Sequence, residues 1–261
     1  MKKNAYAEMF AVEDQHWWYV GLHHLILLLV NIYFPTKKLY ILDVGCGTGG
    51  LLSVLEGNGH ESEGLDTSED ALEYCHKRGL KGVFKADINS WVPSENSYDL
   101  ITAMDVLSHE WIHDEIRILK SLSSSLKSNG LLMLNYPAFP LLRRQHDKTT
   151  MMKQRYTKRM LKSILDQAGL EPVLISYRLP YAFVILLFSR FYESLNKKAG
   201  VQKSDIANIP SRPINEALIH LSRLENRIIA QGFSIPLGSS LFAVARKKTC
   251  LFANSDSQAG K

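Results

Sequence analysis

Tyr40-Ile-Leu-Asp-Val-Gly-Cys-Gly-Thr-Gly-Gly50 is the stretch of sequence that decides the fold. Its apolar residues lie between two lysines and a run of glycines, which predicts a short buried parallel strand. The glycines allow a tight turn and the close approach of a ligand to the backbone. An apolar pattern over 51–55 then predicts a helix, whose N-terminus offers unpaired N–H groups and a positive dipole end. The stretch therefore predicts a nucleotide-type cofactor site.

Two kinds of cofactor compete for this turn. The spacing Gly45-x-Gly47-x-x-Gly50, with Asp66 placed 21 residues after Gly45, satisfies the dinucleotide fingerprint. Asp43 favours another ligand, because its carboxylate would lie under the turn, where a dinucleotide places its negative pyrophosphate. A ligand that carries an ammonium and a sulfonium group would instead be attracted to that carboxylate.

This arrangement resembles the first motif of the class I S-adenosylmethionine-dependent methyltransferases, which reads acidic-x-Gly-x-Gly-x-Gly. Asp43, Gly45, Gly47 and Gly49 match that motif in full. The resemblance covers roughly residues 38–178 and returns at 236–248. It implies an α/β fold with a doubly wound, Rossmann-like sheet of seven strands, six of them parallel and the last reversed. It also implies S-adenosylmethionine as the cofactor.

Composition places the chain among soluble globular proteins. The 261 residues are 46% hydrophobic and 22% charged, enough for one large domain. The net charge of +5 is spread along the chain, so we expect a solvated basic surface and no nucleic-acid partner. Cys46, Cys75 and Cys250 lie far apart, which predicts reduced thiols in a cytoplasmic protein. No cluster of ligand residues predicts a metal site.

Membrane and targeting signals are weak. No stretch reaches the ~20 apolar residues that cross a bilayer. Glu8, Glu13 and Asp14 interrupt any apolar core near the N-terminus, so we expect no cleavable signal peptide. The localisation predicted from these features is cytoplasmic, with peripheral contact at the inner membrane face as an option.

The order of predicted elements indicates a single methyltransferase domain over 1–248. It has four parts: a helical cap (1–36), a cofactor-binding core (37–178), a helical insertion (179–235) and the last strand (236–248). Residues 249–261 are polar and small, which predicts a disordered tail. The later strands are predicted at 64–66, 82–87, 98–104, 131–136, 169–177 and 239–246, and a capping box that starts at Thr67 is predicted to open the helix after the second strand.

Acidic side chains follow four of the predicted strands, namely Asp43, Asp66, Asp87 and Asp105. Ligands of such sheets bind at the carboxyl ends of the strands, so we expect all four acids at one edge. Asp66 would accept hydrogen bonds from both ribose hydroxyls, and Asp87 would accept from the adenine amino group. The other cofactor-binding residues predicted here are Cys46 and Thr67 near the turn, Ile88 packed on the adenine ring, and Met104, whose carbonyl would face the ammonium group.

Histidines supply the candidate bases for a hydroxyl acceptor. His109 follows the fourth strand and matches a histidine common at this position in related small-molecule methyltransferases; it either accepts a proton or packs beside the cofactor. The long loop 137–156 contains His146-Asp147, which is either an oriented base pair or an ordinary turn. Arg143 and Arg144 in the same loop suggest an anionic group on the acceptor.

Two further segments have alternative interpretations. The aromatic cluster 16–19 is either a lid over the ligands or an anchor of the cap on the sheet. Residues 179–192 are apolar nearly all round, so they form a buried helix, a pocket wall for an apolar acceptor, or a peripheral membrane contact. An amphipathic helix is predicted from Pro213, and the two inserted helices would form a hairpin in the simplest case.

The sequence thus predicts methyl transfer from S-adenosylmethionine to a small-molecule or lipid-like acceptor, at oxygen rather than nitrogen. The oxygen preference depends on the two histidines alone. An NAD-dependent oxidoreductase and a non-catalytic relative that acts through its insertion are the rival hypotheses. The acceptor and the oligomeric state are not predicted.

Overall fold

A computed structural model of the protein describes residues 3–143, 147, 150–195 and 209–248. The predicted disordered tail at 249–261 lies outside the described residues.

A seven-stranded sheet forms the centre of the molecule, in the order β3-β2-β1-β4-β5-β7-β6. Strand β7 pairs antiparallel with both β5 and β6, and the other pairs are parallel. The predicted fold class, including the single reversed strand, is confirmed. The strands are β1 (Tyr40–Val44), β2 (Glu61–Asp66), β3 (Val83–Lys85), β4 (Tyr98–Met104), β5 (Leu126–Pro137), β6 (Leu170–Arg178) and β7 (Ser240–Lys247).

Helices cover both faces of the sheet and one of its edges. The predicted N-terminal cap consists of two helices, separated by a short turn. The helices are α1 (Lys3–Val12), α2 (Trp17–Tyr33), α3 (Gly50–Gly57), α4 (Glu69–Lys77), α5 (Glu115–Ser125), α6 (Lys158–Gln167), α7 (Pro180–Leu195) and α8 (Arg212–Ala230).

The two faces of the sheet bury separate clusters of apolar side chains. On one face, Leu25, Ile26 and Leu29 of α2 pack with Ile41 of β1 and Phe242 of β7. Leu25 and Leu29 are one helical turn apart, which places both of them on the buried side of α2. The opposite face is covered by α5 and α6, and its buried residues include Leu119, Leu122, Leu161, Leu165 and Leu132.

Three local predictions differ from the structure. Ser68, not Thr67, caps α4: its hydroxyl accepts the Ala71 N–H, and both residues are hydroxylated, so sequence alone could not choose. Strand β5 begins at Leu126 rather than at 131, because Leu126 pairs with Tyr98 across the sheet. Strand β3 ends at Lys85, so Asp87 lies in the loop that follows it.

The predicted insertion forms α7 and α8, which pack on different neighbours. Helix α8 lies along α2, whereas α7 contacts the 3₁₀ turn at Pro140–Leu142. Phe183 of α7 makes an edge-to-face contact with Phe139 just before that turn, with ring centroids 5.3 Å apart. The insertion therefore extends the cap on one side and borders the loop after β5 on the other.

Candidate cofactor and acceptor site

A cavity of about 800 Å³ lies at the carboxyl edge of the parallel strands. We call it the central cavity. Its walls come from the strand ends, from the two cap helices and from α7. Of the predicted site residues, those that line it are Asp43, Gly45, Cys46, Gly47, Asp66, Thr67, Asp87, Ile88, Met104, Asp105 and His109.

Bare backbone at the glycine turn forms one end of the central cavity. Gly45 and Gly47 have φ angles of +70° and +55°, which residues with side chains rarely adopt. A methyl group added at Gly45 would lie 2.4 Å from Cγ2 of Val106. A Cβ at Gly49 would meet Leu80 and Cys75, and Gly50 lines the cavity, so the cofactor contact predicted for Gly49 stays a prediction.

Asp43 is buried beneath this turn. The Thr102 hydroxyl donates to Asp43 Oδ1 at 2.6 Å. Burial raises the pKa of Asp43 to about 7, and the nearby carboxylates of Asp66 and Glu13 act in the same direction, against the Thr102 hydrogen bond. A buried carboxyl without a cationic partner favours the arrival of a positively charged ligand, which would hold it ionised.

Asp66 and Asp87 present carboxylates at the ends of the next two strands. Asp66 Oδ2 accepts the Gly47 N–H at 3.1 Å and Oδ1 accepts the Ser68 N–H at 2.9 Å, so the carboxylate is fixed against the glycine turn. Burial nevertheless raises the pKa of Asp66. Asp87 is exposed at the rim. Its Oδ1 accepts hydrogen bonds from the backbone N–H and from the side-chain amide of Asn89. Ile88 is buried beside it.

Asp105 follows β4 and also lines the cavity. Its backbone is left-handed, with φ +59°, and its N–H donates to the Asn135 carbonyl at 2.9 Å. The Asn135 side chain donates to Asp105 Oδ2 at 2.7 Å. Burial raises the pKa of Asp105 to about 6, opposed by Asn135 and by the charges of Arg178 and Arg155. The residue is deep in the protein, and its accessible surface faces the cavity.

His109 lies near Asp105 on the loop after β4. Its ring stacks on Trp111, with centroids 3.9 Å apart, and Nδ1 lies 3.4 Å from the Met151 carbonyl oxygen. Burial lowers the pKa of His109, so the ring is neutral at pH 7. If Nδ1 carries the ring proton toward Met151, Nε2 is the nitrogen that can accept a proton.

The loop 137–156 is only partly described. His146 and Arg144 lie outside the described residues. Both carboxylate oxygens of Asp147 are bound by Arg155, at 2.6 and 2.8 Å, and this buried pair lines the cavity. Arg143 is exposed and does not line it. Among the described lining residues Arg155 is the one arginine or lysine, so the arginine-based prediction of an anionic acceptor gains no support there.

The cavity also contains residues that the sequence did not indicate. Tyr6 and Met9 of α1 and Glu13 in the turn after it border the donor end. The Thr48 hydroxyl donates to Glu13 Oε1, and Arg78 pairs with the same oxygen at 2.6 Å. These contacts join segments more than thirty residues apart, so local periodicity could not reveal them. From α7, the lining residues are Ala182, Ile185, Leu186 and Ser189.

The aromatic cluster 16–19 has contacts that fit both of its interpretations. All four residues line the cavity, as expected of a lid. Trp18 also packs against the cluster that joins α2 to the sheet, as expected of an anchor. Trp17 contacts Tyr181 of α7, with ring centroids 5.8 Å apart, so the cap and the insertion meet over the cavity.

A model of the methyltransferase-domain family matches residues 15–175, more than half of the chain. The chain is 24% identical over 120 residues to "Ubiquinone biosynthesis O-methyltransferase" of Rickettsia felis, covering 44% of this chain and 48% of that protein. It is 30% identical over 115 residues to "Trans-aconitate 2-methyltransferase" of Rhodopseudomonas palustris, covering 43% of each. The chain thus spans about half the length of the curated relatives that it matches.

Solved structures agree on the fold. The structure of an S-adenosylmethionine-dependent methyltransferase from Thermotoga maritima superposes with a TM-score of 0.56 at 17% identity, covering 94% of this chain and 99% of that one. The chain therefore belongs to the S-adenosylmethionine-dependent methyltransferase family, and this prediction is confirmed. The cofactor of this family is S-adenosylmethionine. The glycine turn is therefore assigned to the sulfonium ligand and not to a dinucleotide.

The residues of the cavity fit that cofactor. Asp43 is a buried carboxyl without a cationic partner among the described residues, which suits a ligand with a positive charge. A Cβ at Gly45 would collide with Val106 and one at Gly47 would crowd Met9, so the turn keeps bare backbone at the cavity. Asp66 keeps a surface on the cavity although two backbone N–H groups hold it.

Proposed function

We propose that the protein transfers the methyl group of S-adenosylmethionine to the hydroxyl of a small, apolar or lipid-like acceptor. The observation that carries this proposal is the single central cavity, which connects the glycine turn and Asp66 to Asp105 and His109. The name of one relative supports oxygen as the acceptor atom, since that protein is called an O-methyltransferase.

The donor half would bind the cofactor through the residues assigned from the sequence. Asp66 would accept the ribose hydroxyls, Asp87 the adenine amino group, and the Met104 carbonyl would face the ammonium group. Cys46, Thr67 and Ile88 would supply contact surface. When bound, S-adenosylmethionine supplies a methyl group that its sulfonium already activates, so the protein's tasks are alignment and the exclusion of water.

The acceptor half supports an apolar acceptor without negative charge. Trp17, Trp111 and Ile185 contribute apolar surface, while the carboxylates along the cavity are balanced only by Arg155 among the described lining residues. An anionic group there would meet repulsion from these carboxylates. His109, neutral at pH 7, is positioned to accept the hydroxyl proton, and Asp105 is the alternative acceptor.

Peripheral membrane contact through 179–192 is part of the proposal. Among the described helices, none has both the length and the hydrophobicity needed to cross a bilayer. Helix α7 exposes Val184 and Phe188 on its outer side, while Ile185 and Leu186 line the cavity. A lipid-like acceptor could therefore enter beside a helix that rests on the membrane surface.

The experiment is a tritiated-methyl transfer assay with cell extracts separated into lipid, glycan-intermediate and polar pools. We expect label in the lipid pool, in a product whose methyl group is lost under ether-cleaving treatment. His109→Gln should lower the rate at least about 100-fold if His109 accepts the proton, with cofactor affinity unchanged. Label confined to the polar pool would contradict the acceptor class. Cofactor binding without transfer to any pool would favour the non-catalytic alternative.

A further inference from the structure

Exposed apolar side chains are concentrated on the helical insertion. Of the sixteen large hydrophobic residues that are exposed in the described part of the chain, eleven lie between 179 and 237. Soluble monomers rarely expose large contiguous apolar patches, and such patches mark interaction sites. We call the exposed apolar residues of the two inserted helices the insertion surface; they are Val184, Ile185, Leu187, Phe188, Ile214, Leu221, Leu224 and Ile228.

Helix α8 buries polar side chains and exposes apolar ones. Its buried positions include Asn215, Ser222, Glu225 and Asn226. Ile214, Leu221, Leu224 and Ile228 follow one another at intervals of seven, three and four residues, and each is 40% to 56% exposed. This spacing places them along one side of the helix. A helix that only covered the sheet would bury its apolar side chains and expose its polar ones.

Directional hydrogen bonds, together with the buried Ile229, explain how α8 is held while its other apolar side chains stay exposed. Asn226 Nδ2 donates to the Gly21 carbonyl at 2.7 Å, and Asn215 Oδ1 accepts the Trp17 N–H at 3.0 Å. Glu225 Oε1 accepts the Leu179 N–H at 2.8 Å, at the junction that begins α7. These bonds set which side of α8 faces α2. The exposed apolar side chains of α8 therefore face outward.

Basic residues adjoin this apolar side. Residues 179–237 contain seven lysines and arginines but four acidic residues. Arg223 and Arg227 are exposed and four residues apart on α8, and Arg227 lies one helical turn from Leu224, at the border of the apolar positions. Neither forms an ion pair within the described residues, whereas Arg212 is paired with Glu216. Apolar residues flanked by free arginines are typical of helices that lie in the interface of anionic membranes.

We infer that the insertion surface docks on an anionic lipid bilayer, with α8 as the principal contact and α7 beside it. This inference deepens the proposed membrane contact, and its link to acceptor entry rests on the proposed function. A second copy of the chain is the less favourable occupant, because two surfaces that each carry Arg223 and Arg227 would repel. A bilayer also accounts for Ile185, which is both exposed and part of the cavity wall.

The test is flotation of the full chain with vesicles of phosphatidylcholine, with and without phosphatidylglycerol. We expect flotation with the anionic vesicles and much less with the neutral ones, weakening as salt is added. Leu224→Ser with Ile228→Ser should lower the partition coefficient at least about tenfold. Val92→Ser, which removes a more exposed apolar side chain outside the insertion, is the control and should change nothing.

The arginines have their own variants and control. Arg223→Gln and Arg227→Gln should each lower binding to anionic vesicles about fivefold and flatten its salt dependence. Lys81→Gln removes an exposed charge elsewhere and should not. Stabilisation by S-adenosylhomocysteine in a thermal-shift assay shows that each variant is folded.

Three outcomes would overturn the inference. The first is an absence of flotation with both vesicle types. The second is flotation that the α8 variants leave unchanged. The third is a concentration-dependent dimer that the same variants convert to a monomer, which would assign the surface to a second copy. None of these readouts requires methyl transfer, so a failure of docking and a failure of the proposed reaction are distinguishable.

Discussion

At the scale of single residues, the donor end of the central cavity depends on the absence of a side chain at Gly45. Its φ of +70° and the 2.4 Å approach of Val106 both oppose a Cβ. We expect Gly45→Ala to lower the free energy of unfolding by about 1–3 kcal/mol and to weaken the binding of S-adenosylhomocysteine. Urea unfolding and calorimetry measure the two effects.

Gly57→Ala is the control for this prediction. Gly57 lies at the end of α3, and a Cβ there would meet nothing within 4 Å. The substitution should leave stability unchanged or raise it by less than about 1 kcal/mol. Equal effects of the two substitutions would contradict a special requirement at Gly45.

Asp43 predicts how the stability of the cofactor-free protein depends on pH. Its folded pKa of about 7 is higher than the ordinary value near 3.9 of an unfolded chain. Between these values the folded state holds a proton that the unfolded state has released. Stability is therefore highest at low pH in this window and falls as pH rises through 7, by on the order of 4 kcal/mol at most.

Thermal unfolding of the wild type and of Asp43→Asn between pH 5 and 8 tests this. We expect the melting temperature of the wild type to fall across the window and that of the variant to fall less. The variant should also bind S-adenosylmethionine at least about tenfold more weakly, since it lacks the carboxylate. A variant with the same pH slope as the wild type would show that Asp43 is not the titrating group.

Most residues of the donor half could be predicted from the sequence because they follow strands. A strand end is recognisable from an apolar run, and the parallel order of the sheet brings successive strand ends to one edge. Asp43, Asp66 and Asp105 reach the cavity for this reason. Motif spacing alone cannot tell whether a Cβ at a glycine would face a ligand or, as at Gly49, would face Leu80.

At the scale of elements, α1 is held over the donor end by one buried ion pair. Arg78 and Glu13 are 9% and 5% exposed at the side chain, and the Arg78 guanidinium also lies over the Phe10 ring. Arg78→Met would leave the Glu13 carboxyl buried without its partner. We expect a loss of about 3–5 kcal/mol in unfolding free energy and faster proteolysis between α1 and α2.

Lys85→Met provides the comparison for this element. Lys85 and Glu69 form an ion pair of similar length, but both side chains are more than half exposed. Solvent screens such a pair, so its loss should cost less than about 1 kcal/mol. If Arg78→Met costs no more than Lys85→Met, the ion pair does not hold α1 in place.

Elements that depend on distant partners were the least predictable. The 98–104 strand was predicted with its observed bounds, because an apolar run bounded by polar residues is a local signal. Strand β5 starts early because Leu126 pairs with Tyr98 of β4. The sequence of β5 alone does not reveal this pairing. The roles of α1 and α7 in the cavity wall depend likewise on tertiary packing, although the apolar character of 179–192 indicated a pocket wall as one option.

At the scale of the whole molecule, the cap, the sheet and the insertion share one core. Residues of α2 pack with Ile229 of α8 and with the strands, in one cluster. Two of the four tryptophans, Trp17 and Trp18, belong to the cap, and Trp91 and Trp111 belong to the core. Because the parts are joined in this way, we expect one cooperative unfolding transition with coincident fluorescence and circular-dichroism curves.

A ligand that binds the central cavity should therefore stabilise the whole chain. S-adenosylhomocysteine at about 100 times its dissociation constant adds roughly 2.7 kcal/mol, which raises the melting temperature of a domain of this size by about 5–10 °C. NAD should give no shift, because its pyrophosphate would approach Asp43 under the glycine turn. Gly45→Ala should lose the response to S-adenosylhomocysteine. An equal shift with NAD would contradict the assignment of the turn to a sulfonium nucleoside, because NAD places its negative pyrophosphate, and not a cationic group, near the Asp43 carboxylate.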